Sequence, residues 1–106
     1  MVELTDNAKA VLLELYKQYL EKEDLDLPNA NEFPDTFSET CNVFGKPKPN
    51  TVNSALDELK EVDFIKTDIL GAITLKSKGI AYMDNSYHHN IANVVSAIAS
   101  IFSSFK

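Results

Sequence analysis

The stretch NTVNSALDELKEVDFIK, from Asn50 to Lys66, decides the fold because it joins a helical period to an alternating one. Its apolar residues recur every three or four positions, which predicts a helix with one buried face. These inward residues are Val52, Ala55, Leu56, Leu59 and Val62. Asn50 stands where an N-cap is expected, and DFIK begins a β-branched, alternating run. The stretch therefore predicts a helix that runs directly into a strand.

Beyond this stretch, the chain continues as DFIKTDILGAITLK, which alternates and is rich in β-branched residues. We expect two short strands, at about Phe64–Asp68 and Ala72–Leu75, joined by a bend at Leu70-Gly71. The next segment, SKGIAYMDN, is expected to form a closing turn or a short helix. The sequence therefore predicts a small hairpin after the central helix.

Two further helices are expected before Asn50. The first is LTDNAKAVLLELYKQYLEKED, with Thr5 as its N-cap and a second apolar strip formed by Leu13 and Leu20. A helix with two apolar strips is usually covered on two sides. After a loop, LDLPNANEFPD, the second helix is DTFSETCNVFG, which Gly45 ends. One face of this second helix is expected to hold Phe33, Phe37, Cys41 and Phe44.

The last helix, within YHHNIANVVSAIASIFSSF, has no formally charged residue between Asp84 and Lys106. So much exposed apolar surface would aggregate, so something must cover it. A two-fold dimer through this helix is our preferred interpretation; packing on the first helix and insertion in the plane of a membrane are the alternatives. The predicted dimer residues are Ile91, Val94, Val95, Ile98, Ile101, Phe102 and Phe105.

Composition limits the function classes. The chain has 106 residues, 16 acidic residues against 10 lysines, no arginine and a net charge of −6. Nucleic-acid-binding proteins are usually basic, so any such binding must come from a local lysine patch. A single cysteine, an acidic N-terminus and the lack of a run of ~20 apolar residues predict a cytoplasmic protein without a transmembrane segment.

The order of these elements resembles that of winged helix-turn-helix domains. The resemblance rests on Leu59 followed by Phe64-Ile65, then the short hairpin, then LKSKG at Leu75–Gly79. Asp63 stands where the family usually has glycine, and Lys76 where it has threonine. The extra apolar helix is similar to that of small YjcQ-like winged-helix proteins of Gram-positive bacteria and phages. The implied fold class is α+β: a winged helix of three helices and a two-stranded wing in residues 1–84, then a C-terminal helix in residues 85–106.

The resemblance implies that the third helix enters the major groove of double-stranded DNA and that the wing touches the backbone. Carried over by position, the candidate base contacts are Asn50, Thr51, Asn53, Ser54 and Asp57. The candidate phosphate contacts are Lys46, Lys48, Lys60 and Lys66. The implied function is a homodimeric transcriptional regulator. Against it stand Asp57, Glu58 and Glu61, because carboxylates are repelled by phosphates.

The alternative is a winged-helix module that contacts proteins rather than DNA, such as an accessory factor of a phage or mobile element. No catalytic motif, glycine-rich phosphate loop or cofactor site is predicted. The adjacent His88 and His89 point about 100° apart on a helix, so they cannot ligate one metal by themselves. Cys41 is expected to pack in the core.

Overall fold

The computed structural model describes residues 3–104, with side chains to Ile101. In that range the chain forms five helices and one small antiparallel sheet of three strands, which confirms the α+β class and is compatible with a winged-helix-like arrangement. The elements in chain order are α1 (Asp6–Asp24), β1 (Glu32–Phe33), α2 (Phe37–Thr40), α3 (Pro49–Glu61), β2 (Ile65–Thr67), β3 (Ile73–Leu75), α4 (Ser77–Tyr87) and α5 (Ile91–Ser104).

Helix α1 is the centre of the fold and packs against both α3 and α5. Its predicted N-cap is confirmed, since the Thr5 side chain accepts a hydrogen bond from the Ala8 amide, and Asp6 follows in the first turn. Leu13 and Leu20, the second apolar strip, are both buried. Covering α1 on two sides is what allows a chain of this length to build one continuous core.

The sheet contains a strand that the sequence did not predict. β1 pairs with β3, which also pairs with β2, so the order is β1-β3-β2. Lys22 ties β1 to α1, because its Nζ donates to the Glu32 carbonyl at 2.6 Å and lies 4.1 Å from the centre of the Phe33 ring. A two-residue strand has too few positions to show an alternating pattern, so the sequence predicts a loop where β1 lies.

The predicted hairpin is confirmed, with strands slightly shorter than expected. At its bend the Asp68 carboxylate accepts from the amides of Leu70 and Ala72, each at 2.9 Å. Gly71 adopts a φ of 91°, a left-handed conformation that glycine tolerates best. The turn is therefore set by two residues of the sequence TDILGA.

Two expectations about the middle of the chain are wrong in detail. The second helix is only one turn long, and Phe33 lies in β1 rather than on its face, although Phe33, Phe37, Cys41 and Phe44 are all buried. Asn50 is not the N-cap of α3. The helix begins at Pro49, with Lys48 as a cap that uses no side-chain hydrogen bond. Proline favours the first helical position because its φ is already helical and it has no amide hydrogen to satisfy.

The junction from α3 to β2 explains two features of the sequence. Asp63 has a φ of 66°, a left-handed conformation, and its carboxylate is paired with Lys76. Gly79 lies against the start of β2, where an added Cβ would stand 2.7 Å from the Phe64 carbonyl oxygen. This glycine is therefore needed for close approach rather than for an unusual φ.

The C-terminal region forms two helices. Of the two expectations for SKGIAYMDN, a closing turn or a short helix, the helix is confirmed as α4, and α5 packs back on α1 of the same chain. Val94 is wholly buried, and Ala97, Ile98 and Ile101 are partly buried against the core. None of the described helices is both long and apolar enough to cross a membrane.

Candidate nucleic-acid interface

The turn before α3 presents two of the predicted phosphate-binding lysines. Lys46 is exposed and Lys48 is half-buried, with its Nζ 6.0 Å from the centre of the Phe44 ring. Phe44 is itself buried, and the Lys48 carbonyl accepts from the Val52 amide. The turn is thus anchored at both ends while its ammonium groups remain accessible to an anion.

The N-terminal half of α3 presents uncharged polar side chains beside these lysines. Asn50, Asn53 and Ser54 are exposed and Thr51 is half-buried, while the helix buries Val52 on its inner side. Spacings of three and four residues place the exposed side chains on one face of the helix. We call this surface the front face; it comprises Lys46, Lys48, Asn50, Thr51, Asn53 and Ser54.

The lysines of the predicted site fall into two groups. Lys60 forms an ion pair with Asp57 at 3.3 Å. Lys46, Lys48 and Lys66 form no ion pair with any residue between 3 and 104. An exposed pair such as Lys60–Asp57 holds little energy and exchanges readily with another anion. The cations available to an approaching phosphate are therefore those of the turn and of β2.

The acids of α3 are less repulsive than the sequence suggested. Glu58 is half-buried and points to the start of α1, where its two carboxylate oxygens accept from the Thr5 amide and the Thr5 hydroxyl, each at 2.8 Å. Asp57 is partly neutralised by Lys60. Glu61 is exposed at the last turn of the helix, beyond the front face. Sequence spacing could not reveal the Thr5–Glu58 contact, which joins residues 53 positions apart.

The β2–β3 hairpin carries one basic residue and an apolar tip. Lys66 is exposed on β2 and is paired in register with Thr74, which in turn is paired with Glu32. At the tip, Ile69 is 99% exposed and Leu70 is 78% exposed. An apolar tip cannot bind phosphate oxygens, so only Lys66 of this hairpin suits a DNA backbone.

The predicted dimer residues of α5 do not share one environment. Val94 belongs to the chain's own core, whereas Ile91 and Val95 are 39% and 50% exposed. Phe105 lies outside the described residues, as does the side chain of Phe102. The part of the α5 apolar face left open to a partner is therefore centred on Ile91 and Val95.

The remaining candidate groups are Cys41 and the two histidines, His88 and His89. Cys41 is buried, and burial raises the pKa of its thiol to about 11, so it packs in the core as expected. Among the described residues, no three His, Cys, Asp or Glu side chains are arranged to hold a metal ion. His89, unlike His88, is hydrogen-bonded to two carboxylates, a contact that sequence reasoning did not find.

The front face can therefore do two things chemically. Its lysines can neutralise phosphates, and its amide and hydroxyl side chains can donate to and accept from base edges. The chain matches none of the family models, curated proteins or solved structures with which it was compared. The case for a function thus depends on these residues and on their placement.

Proposed function

We propose that this protein is a winged-helix DNA-binding protein that places the N-terminal half of α3 in the major groove and acts in transcription as a homodimer. The observation that carries the proposal is the front face, where exposed amide and hydroxyl side chains follow two lysines free of described ion pairs. Helices that read DNA present their N-terminal residues to the bases. The element order and the β1-β3-β2 sheet support the same fold.

The electrostatic objection is reduced by the placement of the acids. Glu58 is turned toward Thr5 at the start of α1, and Asp57 has Lys60 beside it. Asp57 and Glu61 both lie on the same side of the helix as Asn50 and Asn53, and Glu61 is one turn further from the front face than Asp57. A carboxylate in the position of Asp57 can accept a hydrogen bond from the amino group of cytosine. We therefore expect Asp57 to restrict which base pairs are accepted rather than to prevent binding.

The test is fluorescence anisotropy with a random-sequence duplex, measured over a range of salt concentrations. Each phosphate contact by lysine contributes roughly −0.9 to the slope of log affinity against log salt. The affinity of the double variant Lys46→Glu/Lys48→Glu for the duplex should be lower than that of the wild type by a factor of at least ~10. The magnitude of its salt slope should be smaller by roughly 2. The matched control is Lys9→Glu/Lys17→Glu, which makes the same charge change near α4 and α5. Equal affinity for both double variants would contradict the proposed surface.

The homodimer is a separate part of the proposal and has its own test. Ile91 and Val95 leave apolar surface exposed on α5, and a two-fold pair would suit a palindromic DNA site. Val95→Glu should weaken self-association in analytical ultracentrifugation, whereas Ser96→Glu, at another exposed position of the same helix, should have little effect. Sedimentation of the wild type as a monomer at all concentrations would contradict the proposed homodimer.

A protein-interaction module is the second candidate, favoured by the tip of the hairpin. Ile69 is almost fully exposed, Leu70 is largely exposed, and the chain carries a net charge of −6. Such a tip fits an apolar recess of a partner protein better than it fits phosphate. This candidate requires that no duplex be bound even at low salt, and that Ile69→Ser/Leu70→Ser abolish partner binding.

A further inference from the structure

A network of five polar side chains joins α1 to α4 and to the segment between α4 and α5. At its centre, His89 Nδ1 lies 2.9 Å from an oxygen of Asp84, and His89 Nε2 lies 2.6 Å from an oxygen of Glu23. The Tyr19 hydroxyl donates to the other oxygen of Glu23 at 2.8 Å, and the Tyr16 hydroxyl donates to Asp84. The imidazole ring therefore bridges a carboxylate of α1 and a carboxylate of α4.

The geometry of this bridge determines the protonation state of the ring. An ionised carboxylate only accepts hydrogen bonds, and both carboxylates already accept from a tyrosine hydroxyl. A neutral imidazole has one N–H group and one lone pair, so it can donate to only one of its two neighbours. The other nitrogen would then face an acceptor oxygen at hydrogen-bonding distance. Only the imidazolium, with two N–H groups, satisfies both contacts.

The ionisable groups around His89 include four carboxylates, which favour a positive charge on the ring. The ionisable groups are Tyr16, Tyr19, Glu23 and Asp24 of α1, Asp26 of the following loop, and Asp84 and Tyr87 of α4. Helix α5 contributes the apolar Ile91 and has no formally charged residue in its described length. No lysine is among these neighbours.

The network lies where it can control α5. The backbone of His88 and His89 is left-handed, with φ values of 57° and 55°, and α5 begins two residues later at Ile91. Val94 is the only fully buried side chain among the described residues of α5. Ala97, Ile98 and Ile101 add contacts that are only partly buried, so polar contacts near the start of α5 contribute to its docking, and the bridge from His89 to Glu23 is the nearest charged contact among the described residues.

We propose that protonated His89 latches the start of α5 to α1, and that loss of this proton releases the helix and exposes the apolar surface beneath it. The latch is a pH-sensitive switch built into the fold. It does not depend on the proposed DNA binding, because none of its residues belongs to the front face.

The direction of the pH effect follows from the surroundings of the ring. The hydrogen bond to Asp84 raises the pKa of His89; partial burial opposes it, and the contact with Glu23 adds to it. Because the folded pKa is above the unfolded one, the stabilisation is complete below the ordinary histidine pKa and is lost as the pH rises through the raised value. The Tyr19 pKa of about 12 and the Cys41 pKa of about 11 keep these two groups out of that range.

The experiment compares His89→Gln with His88→Gln, the exposed neighbour, between pH 5 and pH 9. NMR gives the pKa of each imidazole and, through hydrogen exchange, the protection factors of the α5 amides. In the wild type and in His88→Gln, the protection factors of the α5 amides should be lower at high pH than at low pH. The total fall should be roughly tenfold for each unit by which the folded pKa of His89 exceeds its unfolded pKa. In His89→Gln, this pH dependence should be absent.

Two results would overturn the latch. One is a His89 ring that titrates in the wild type at or below the ordinary histidine value, a measurement that requires no variant. The other is α5 protection that falls with pH in His89→Gln as it does in His88→Gln. Glu23→Gln is a further check that leaves the imidazole of His89 in place. Because it removes one carboxylate partner, it should bring the pKa of His89 closer to its ordinary value.

Discussion

Helices α3 and α5 are both amphipathic and both pack on α1, yet they are held in place differently. Helix α3 buries Val52, Ala55, Leu56 and Leu59, and it turns a polar face to solvent. Described α5 has one fully buried side chain, Val94, and leaves Ile91 and Val95 partly exposed. Apolar packing is therefore the main support of α3, with the Thr5–Glu58 hydrogen bonds beside it, whereas α5 buries less and has the polar contacts of His89 two residues before its start.

The largest expected effect tests the packing of α3. Leu59 is wholly buried, so Leu59→Ala should lower the free energy of unfolding by about 3 kcal/mol, through lost transfer energy and the cavity that remains. Chemical denaturation followed by circular dichroism measures this loss. The α5 counterpart is Val94→Ala, which removes less volume and should cost about 2 kcal/mol.

The two substitutions should also differ in where they act. Leu59→Ala should weaken hydrogen-exchange protection throughout the fold, whereas Val94→Ala should weaken it most in α5, where little else is buried. Uniform loss of protection in Val94→Ala would show that α5 opens only together with the rest of the fold, as α3 does, and would contradict the difference between the two helices.

Part of the fold could be predicted from the sequence. The 3.6-residue period of α3 and the alternation of the hairpin are local patterns, so the inner face from Val52 to Leu59 and the strands near Ile65 and Ile73 were predicted correctly. The N-cap of α3 was assigned wrongly because Asn50 is a good capping residue by type, while Pro49 is a better helix start by conformation.

What the sequence could not reveal depends on contacts between distant residues. β1 has two residues and exists because β3 pairs with it. Glu58 meets Thr5 across 53 positions, and His89 meets Glu23 across 66. No periodicity connects such positions, so the sequence predicts a more repulsive outer face of α3 than the structure shows, and it does not predict the contacts of His89.

The contact between Thr5 and Glu58 gives a smaller effect. It joins the cap of α1 to α3 through two hydrogen bonds of 2.8 Å. A double-mutant cycle with Thr5→Ala and Glu58→Gln should give a coupling free energy of about 1 kcal/mol. The same cycle with Glu61→Gln in place of Glu58→Gln is the control and should give none. Equal coupling free energies in both cycles would contradict a specific interaction between Thr5 and Glu58.

The smallest effect concerns the residue after α3. Asp63 has a φ of 66°, which glycine adopts more easily than alanine does. Asp63→Gly and Asp63→Ala both lose the ion pair with Lys76, so their difference isolates the backbone. We expect the glycine variant to be more stable by about 1 kcal/mol in thermal or chemical unfolding. Equal stability would indicate that this junction relaxes to a different conformation.

The most direct test of the central claim is an NMR titration of the labelled protein with a random-sequence duplex at low salt. Chemical-shift changes should be concentrated on the front face, from Lys46 to Ser54, and on Lys66 of the hairpin. These changes should weaken as salt is added, because cations compete with the lysines for the phosphates. A spectrum that does not change at the front face, even at the lowest salt, would contradict the account.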